Sequence, residues 1–127
     1  MKAPDNLKHK PIISVDNYDQ IDGIYAGNSD AKALSIGFSQ YDKSEISVKV
    51  FRNPNGKWSR QSEELPLHRN LDLTILILET LANKNISNFN KSISSLNDVK
   101  ELEIYLNKNK NLLQDKIDKL KTILQNL

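Results

Sequence analysis

The sequence predicts an α+β fold: a small antiparallel sheet with a central hairpin packed on a buried helix, followed by a C-terminal helical tail. Three observations predict it. All four glycines (Gly23, Gly27, Gly37, Gly56) and all four prolines (Pro4, Pro11, Pro54, Pro66) precede residue 67, so turn chemistry is confined to the first half. Ile46, Val48 and Val50 alternate with Ser47, Lys49 and Phe51 just before Asn53-Pro-Asn-Gly56, a hairpin signal in which Pro suits the second turn position and Asn or Gly tolerates positive φ. Beyond residue 83 the chain is rich in Asn, Lys, Leu and Ile, with no helix breaker. At 127 residues the length suits one domain, expected as an α+β body over 1–83 and a helical extension of the same domain over 84–127.

Along the chain, Pro11–Val15 reads as a short strand and Asp16–Gly27 as a loop. Asn28 or Ser29 can cap a helix carrying Leu34, Phe38 and Tyr41 on one face; a strand competes, because Leu34, Ile36 and Phe38 also alternate. The hairpin's second strand is expected from Trp58 to about Glu64. From Leu65 to about Leu81 the apolar residues surround a helix axis, the pattern of a helix buried on most sides at the centre of the core, with a strand at Leu73–Leu78 as the competing reading. In the tail, Val99, Leu102 and Leu106 repeat at three and four, and Leu113, Ile117, Leu120, Leu124 and Leu127 at four, three, four and three. Asn107–Asn111 between them is either a turn between two helices or the solvated face of one. The seam packs on its own domain or makes a homo-oligomer through the C-terminal helices.

Composition excludes several function classes. There is no cysteine for a disulfide framework, thiolate catalysis or cysteine-type zinc site, and two histidines, His9 and His68, are too few for a histidine-rich metal centre. No metal or cofactor is expected. No apolar run suits a membrane span, and the start MKAPDNLKHK lacks the apolar core of a secretory leader, so a cytoplasmic protein is expected. The net charge of +2 is too small to imply long nucleic acid as a partner. Its distribution is uneven: residues 1–83 hold ten Lys or Arg against eleven acids, and 84–127 hold eight Lys against five.

The chemically rich segment is Arg52–Arg69, which holds all three arginines, the only tryptophan, His68, and the polar run Trp58-Ser-Arg-Gln-Ser-Glu-Glu64. A four-residue hairpin turn sets Phe51 opposite Trp58 and Lys49 opposite Arg60, placing two aromatics and two cations on one sheet face; a three-residue loop shifts this pairing. Such a face suits a planar anion, since rings stack on bases and guanidinium forks match phosphate oxygens. The expected ligand residues are Trp58, Arg60, Gln61, Ser62, His68 and Arg69, joined by Tyr18 and Asp22 if the 16–27 loop borders the arginine strand. The N-terminus of the helix near Leu65 would add backbone donors for a phosphate, opposed by Glu63 and Glu64 unless these pair with Arg60 and Arg69. Asp16, Asp19 and Asp22 are spaced by threes, which fails the calcium-loop pattern and leaves them as loop-stabilising carboxylates. Glu64 and His68, four apart, form a possible acid/base pair, but no nucleophile elbow, phosphate loop or metal set accompanies them.

The segments KHKPIISVDNYDQIDGIY, NSDAKALSIGFSQYD, ISVKVFR, KWSRQSEELPLHR and LDLTILI resemble a family of small bacterial and phage proteins known only as a domain of unknown function. The resemblance runs from about Lys8 to Ile77, with KWSRQSEELPLHR its most distinctive part. It implies a single α+β domain with a polar signature at the strand-to-helix junction, and no catalytic role. The functional expectation is non-enzymatic binding or sequestration of a small anionic, nucleotide-like ligand, with a signalling nucleotide in phage–bacteria conflict as an analogy from size class. The alternatives are a small hydrolase or lyase using Glu64 and His68 on a phosphorylated or glycosidic substrate, and a protein-interaction subunit.

Overall fold

A computed structural model describes residues 1–60, 63–82 and 87–127. The chain forms two compact units, Met1–Ile75 and Leu76–Leu127. The first is built on a four-stranded antiparallel sheet in the order β1-β2-β3-β4, formed by β1 (Lys10–Asp16), β2 (Ala31–Phe38), β3 (Ile46–Arg52) and β4 (Glu64–Pro66). Three helices follow: α1 (Leu67–Ala82), α2 (Leu96–Lys108) and α3 (Lys110–Leu124). The class is α+β, as the turn distribution and alternation predict.

The helix expected from Asn28 is instead β2. Period two prevails there because Ala31, Ala33, Ser35 and Gly37 are all small and all buried, while Leu34, Ile36 and Phe38 occupy the opposite face. Gly37 is required by close approach: a Cβ at this position would lie 2.1 Å from the Lys10 carbonyl oxygen and 2.9 Å from His9 Nε2. The 53–56 turn forms with Asn55 at φ 54° and Gly56 at φ 81°, matching its residue types.

The hairpin's second strand is shorter and later than expected. Ser59 N–H donates to the Arg52 carbonyl at 2.8 Å, and the chain then leaves the ladder with the Trp58 ring packed against Phe51. Pairing resumes where Val50 N–H donates to the Glu63 carbonyl at 2.9 Å, and it sets Lys49 opposite Glu64, Val48 opposite Leu65 and Ser47 opposite Pro66. One consequence orders the whole sheet. The buried face carries Ala33, Ser35, Ser47, Lys49 and Phe51, and the opposite face, with Ile13, Val15, Leu34, Ile36, Val48, Val50 and Leu65, lines an open groove of about 590 Å³.

The helix expected over 65–81 forms as α1, immediately after β4, but it is not the centre of the core. Leu71 and Ile77 are each 55% exposed, and the one buried residue of the helix is Glu79. An all-round apolar pattern identifies a helix with much apolar surface; the buried core of the first unit has formed on the other sheet face, around Phe51 and His9.

In the second unit, Glu79 accepts from Asn88 N–H at 2.8 Å and faces Lys91 Nζ at 3.4 Å, tying the end of α1 to the chain leading toward α2. Ser95 caps α2 by accepting from Asp98 N–H. The tail is two helices, separated by Asn109 at φ −102°, ψ 19°. Among the described residues no helix is long and apolar enough to cross a membrane.

Gly37→Ala should destabilise the protein by about 1–3 kcal/mol, the usual range for overpacking a closed site. Urea denaturation checks this, and a loss under about 0.5 kcal/mol would mean that β1 shifts away from β2 at little cost.

Candidate functional site

Glu64 opens β4 directly across from Lys49, and Lys49 in turn lies across from Ser35 of β2. Ser47, two residues before Lys49, shares its face. His9, just ahead of β1, fills the space that the small residues of β2 leave. The side chains of His9, Glu64 and Lys49 are 0%, 1% and 2% exposed.

The hydrogen bonds have a direction. Ser47 Oγ donates to Glu64 Oε2 at 2.8 Å, so its oxygen is free to accept from His9 Nδ1, 3.0 Å away. Burial favours the neutral ring, on which His9 Nε2 accepts from Ser35 Oγ at 2.9 Å. Protons therefore point from Ser35 to His9 to Ser47 to Glu64, which assigns the neutral Nδ1–H tautomer to His9. Gln40 completes the carboxylate, its backbone N–H donating to Oε2 and its amide to Oε1, each at 3.0 Å. Lys49 Nζ lies 3.6 Å from Oε1 and 5.4 Å from the centroid of the Phe51 ring. Among the described residues no buried side-chain nitrogen or oxygen lacks a partner.

Burial pushes the Glu64 carboxyl upward, but the Gln40 N–H and Ser47 hydroxyl, helped by His9 and Lys49, hold it below its ordinary value. Burial lowers His9 below 6.5 despite the neighbouring carboxylate, with Lys49 acting in the same direction. Lys49 is lowered by burial and partly restored by Glu64. A carboxylate so well supplied with donors is a weak base, which disfavours general acid/base work by Glu64.

Beside this network lies a cavity of about 270 Å³ lined by Asn6, Leu7, Lys8, His9, Lys49 and Arg60. Among the described residues no carboxylate lines it. Lys8 and Arg60 make no ion pair among the described residues.

The other expected site residues are dispersed. Trp58 packs edge-on against Phe51, with ring centroids 5.8 Å apart, and does not line the Arg60 cavity. Tyr18 and Asp22 line a separate cleft of about 680 Å³ with Arg52 and Glu63. Arg52 there is paired to Asp30 at 2.7 Å and Glu63 at 3.4 Å. His68 borders a third cleft, of about 600 Å³, with Glu64 and Tyr41; the N-terminus of α1 lies on this cleft, not at Arg60. Arg69 is exposed. Gln61 and Ser62 lie outside the described residues. Glu64 pairs with His9 and Lys49, and Glu63 with Arg52, so neither acid neutralises Arg60.

The expected pairing of Lys49 with Arg60 across the hairpin does not form, because Lys49 lies opposite Glu64, although both residues line one cavity; Lys8, His9, Ser35 and Gln40 are not among the expected site residues. The available signal was the run Ala33, Ser35, Gly37 at period two, which leaves room for a ring from elsewhere in the chain.

Two outcomes are expected from this network. Because the folded His9 has a lowered pKa, the unfolded chain takes up a proton there first as pH falls below 6.5, so stability declines, and it declines further below 4.5 as unfolded Glu64 protonates. Urea midpoints at about pH 7.5 and about pH 5.5 should differ in that direction, and His9→Gln should flatten the difference. Glu64→Gln should cost about 3–5 kcal/mol by stranding the Lys49 ammonium. The double variant with Lys49→Met should cost less than the sum of the two single changes, and additivity would show the pair to be uncoupled.

Residues 1–92 match the model of a family of unknown function, DUF6530, which spans the expected Lys8–Ile77 stretch and extends it at both ends. Neither the curated proteins nor the solved structures contain a match to this chain.

Proposed function

The chain belongs to the family of unknown function DUF6530, and for it we propose a non-enzymatic binding module that holds a small anionic, nucleotide-like ligand in the cavity of Lys8, His9, Lys49 and Arg60. The observation that supports this reading is the charge imbalance of that cavity: cationic residues from three parts of the chain line it, and among the described residues no carboxylate does. Lys49 is held in place by Glu64 and Phe51, so little side-chain freedom is lost when an anion arrives. The hydrolase or lyase reading has less support, because Glu64 is saturated with donors and His68 is an exposed side chain with no partner given by the network.

Calorimetry with mono-, di- and cyclic nucleotides tests the reading. Arg60→Ala should weaken binding tenfold or more, the loss of about 1.5–3 kcal/mol typical of a hydrogen bond to a charged group. Trp58→Ala should act on folding stability and leave affinity within a few-fold. Absence of heat from every nucleotide, with the protein folded, overturns the proposal.

We further propose self-association through the C-terminal helices, supported by the spacing of Leu113, Ile117, Leu120 and Leu124 on α3, the last 57% exposed. Sedimentation should give a dimer or larger species that Leu120→Asp dissociates; a monomer unchanged by the substitution removes this reading.

A further inference from the structure

We infer that the group selected by the Lys8–Arg60 cavity is a dianionic phosphomonoester carried on a body the size of a pentose, and not a phosphodiester or a carboxylate. The inference rests on the proposed anion-binding function and narrows its ligand class.

Charge supports it first. Lys49 is paired with Glu64, and Lys8 and Arg60 at the same cavity have no ion-pair partner among the described residues, which leaves two positive charges there. His9 adds none in its neutral form, which its complete burial favours, with Nδ1–H donating to Ser47. A phosphomonoester carries about −1.5 to −2 charge near neutral pH, whereas a phosphodiester or carboxylate carries one. Only the monoester balances the cavity.

Geometry supports it second. Lys8 comes from the segment ahead of β1, Lys49 from β3, and Arg60 from the chain between the 53–56 turn and β4. Cationic residues from three separate segments at one cavity suit a group that presents three terminal oxygens around a tetrahedral centre. A planar carboxylate is served by one guanidinium fork, and a diester presents two unsubstituted oxygens and one charge where the monoester presents three oxygens and nearly two charges. Glu64 does not compete for the ligand's own donors, since Gln40, Ser47 and Lys49 already occupy both of its oxygens.

Size supports it third. A cavity of about 270 Å³ is just below the roughly 300–1,000 Å³ of ordinary ligand pockets, and it has room for a phosphoryl group and one small ring. Asn6 offers an amide to sugar hydroxyls and Leu7 an apolar wall. A nucleobase would then project outside the cavity, so the base contributes little to affinity.

The test is calorimetry of the full chain against ribose 5-phosphate, adenosine 5′-monophosphate, 3′,5′-cyclic adenosine monophosphate and acetate. The two monoesters should bind within a few-fold of each other. Cyclic nucleotide and acetate should bind at least tenfold more weakly. Lys8→Ala and Arg60→Ala replace exposed side chains, and their urea midpoints verify that the fold is kept; each should reduce the preference for monoester over cyclic diester severalfold. Cyclic nucleotide binding as tightly as the monoesters overturns the phosphomonoester inference and leaves the anion-binding function standing. Binding of none of the four by folded protein overturns both.

Discussion

A carboxylate that is 1% exposed sets the terms for the rest of the first unit. β4 is three residues long and brings too few ladder hydrogen bonds to hold itself on the sheet. Its first residue, Glu64, compensates through contacts to β3 (Ser47, Lys49), to the connection after β2 (Gln40) and to the segment ahead of β1 (His9). The end of the hairpin, the entry into α1 and the course of the N-terminal segment are thereby referred to one side chain. Such a network is weak evidence for net stability, because desolvating three ionisable groups offsets most of their attraction. Its stronger effect is on uniqueness, since a one-residue slip of β4 would place Glu64 on the opposite, apolar face.

The same network explains the inverted character of the sheet. In a half-buried sheet the apolar positions ordinarily face the core. Here the covered face holds Ser35, Ser47 and Lys49, and the apolar face is the open groove. Small residues on β2 are the geometric condition for this arrangement: a larger side chain at Ser35 or Gly37 would expel the His9 ring, and without that ring Ser47 would lose the donor to its oxygen. Sequence, packing and electrostatics therefore meet at the same few positions.

Much of the fold was legible, and the losses have physical reasons. Alternation at 46–51 located β3, and Asn-Pro-Asn-Gly located the turn, because both are local signals with local causes. The 31–38 segment was misread because Leu34 and Phe38 satisfy helical spacing as well as Leu34, Ile36 and Phe38 satisfy period two; the deciding feature was the smallness of the intervening residues. Alternation also says nothing of which face is covered. That choice depends on His9, separated from Ser35 by 26 residues and from Ser47 by 38, and no window reading joins positions so far apart. The expected pairing of Lys49 with Arg60 fails because the chain leaves the ladder after Ser59 and Glu64 takes the place opposite Lys49; the two residues line one cavity because the 53–56 turn reverses the chain next to β3.

Saturation of Glu64 also bears on the kind of chemistry this architecture can perform. Acid/base catalysis needs a group whose proton is exchangeable near working pH, with at least one oxygen facing the reacting atom. Glu64 has both oxygens engaged and its pKa depressed, and His9 has both ring nitrogens engaged within the same directed chain. Moving a proton along that chain would require every hydroxyl in it to reverse at once. What the arrangement does well is hold charge still. Lys49 is fixed by Glu64 and Phe51, with Lys8 and Arg60 at the same cavity, and a buried cation that need not reorganise is the physical basis on which anion recognition is proposed in place of catalysis.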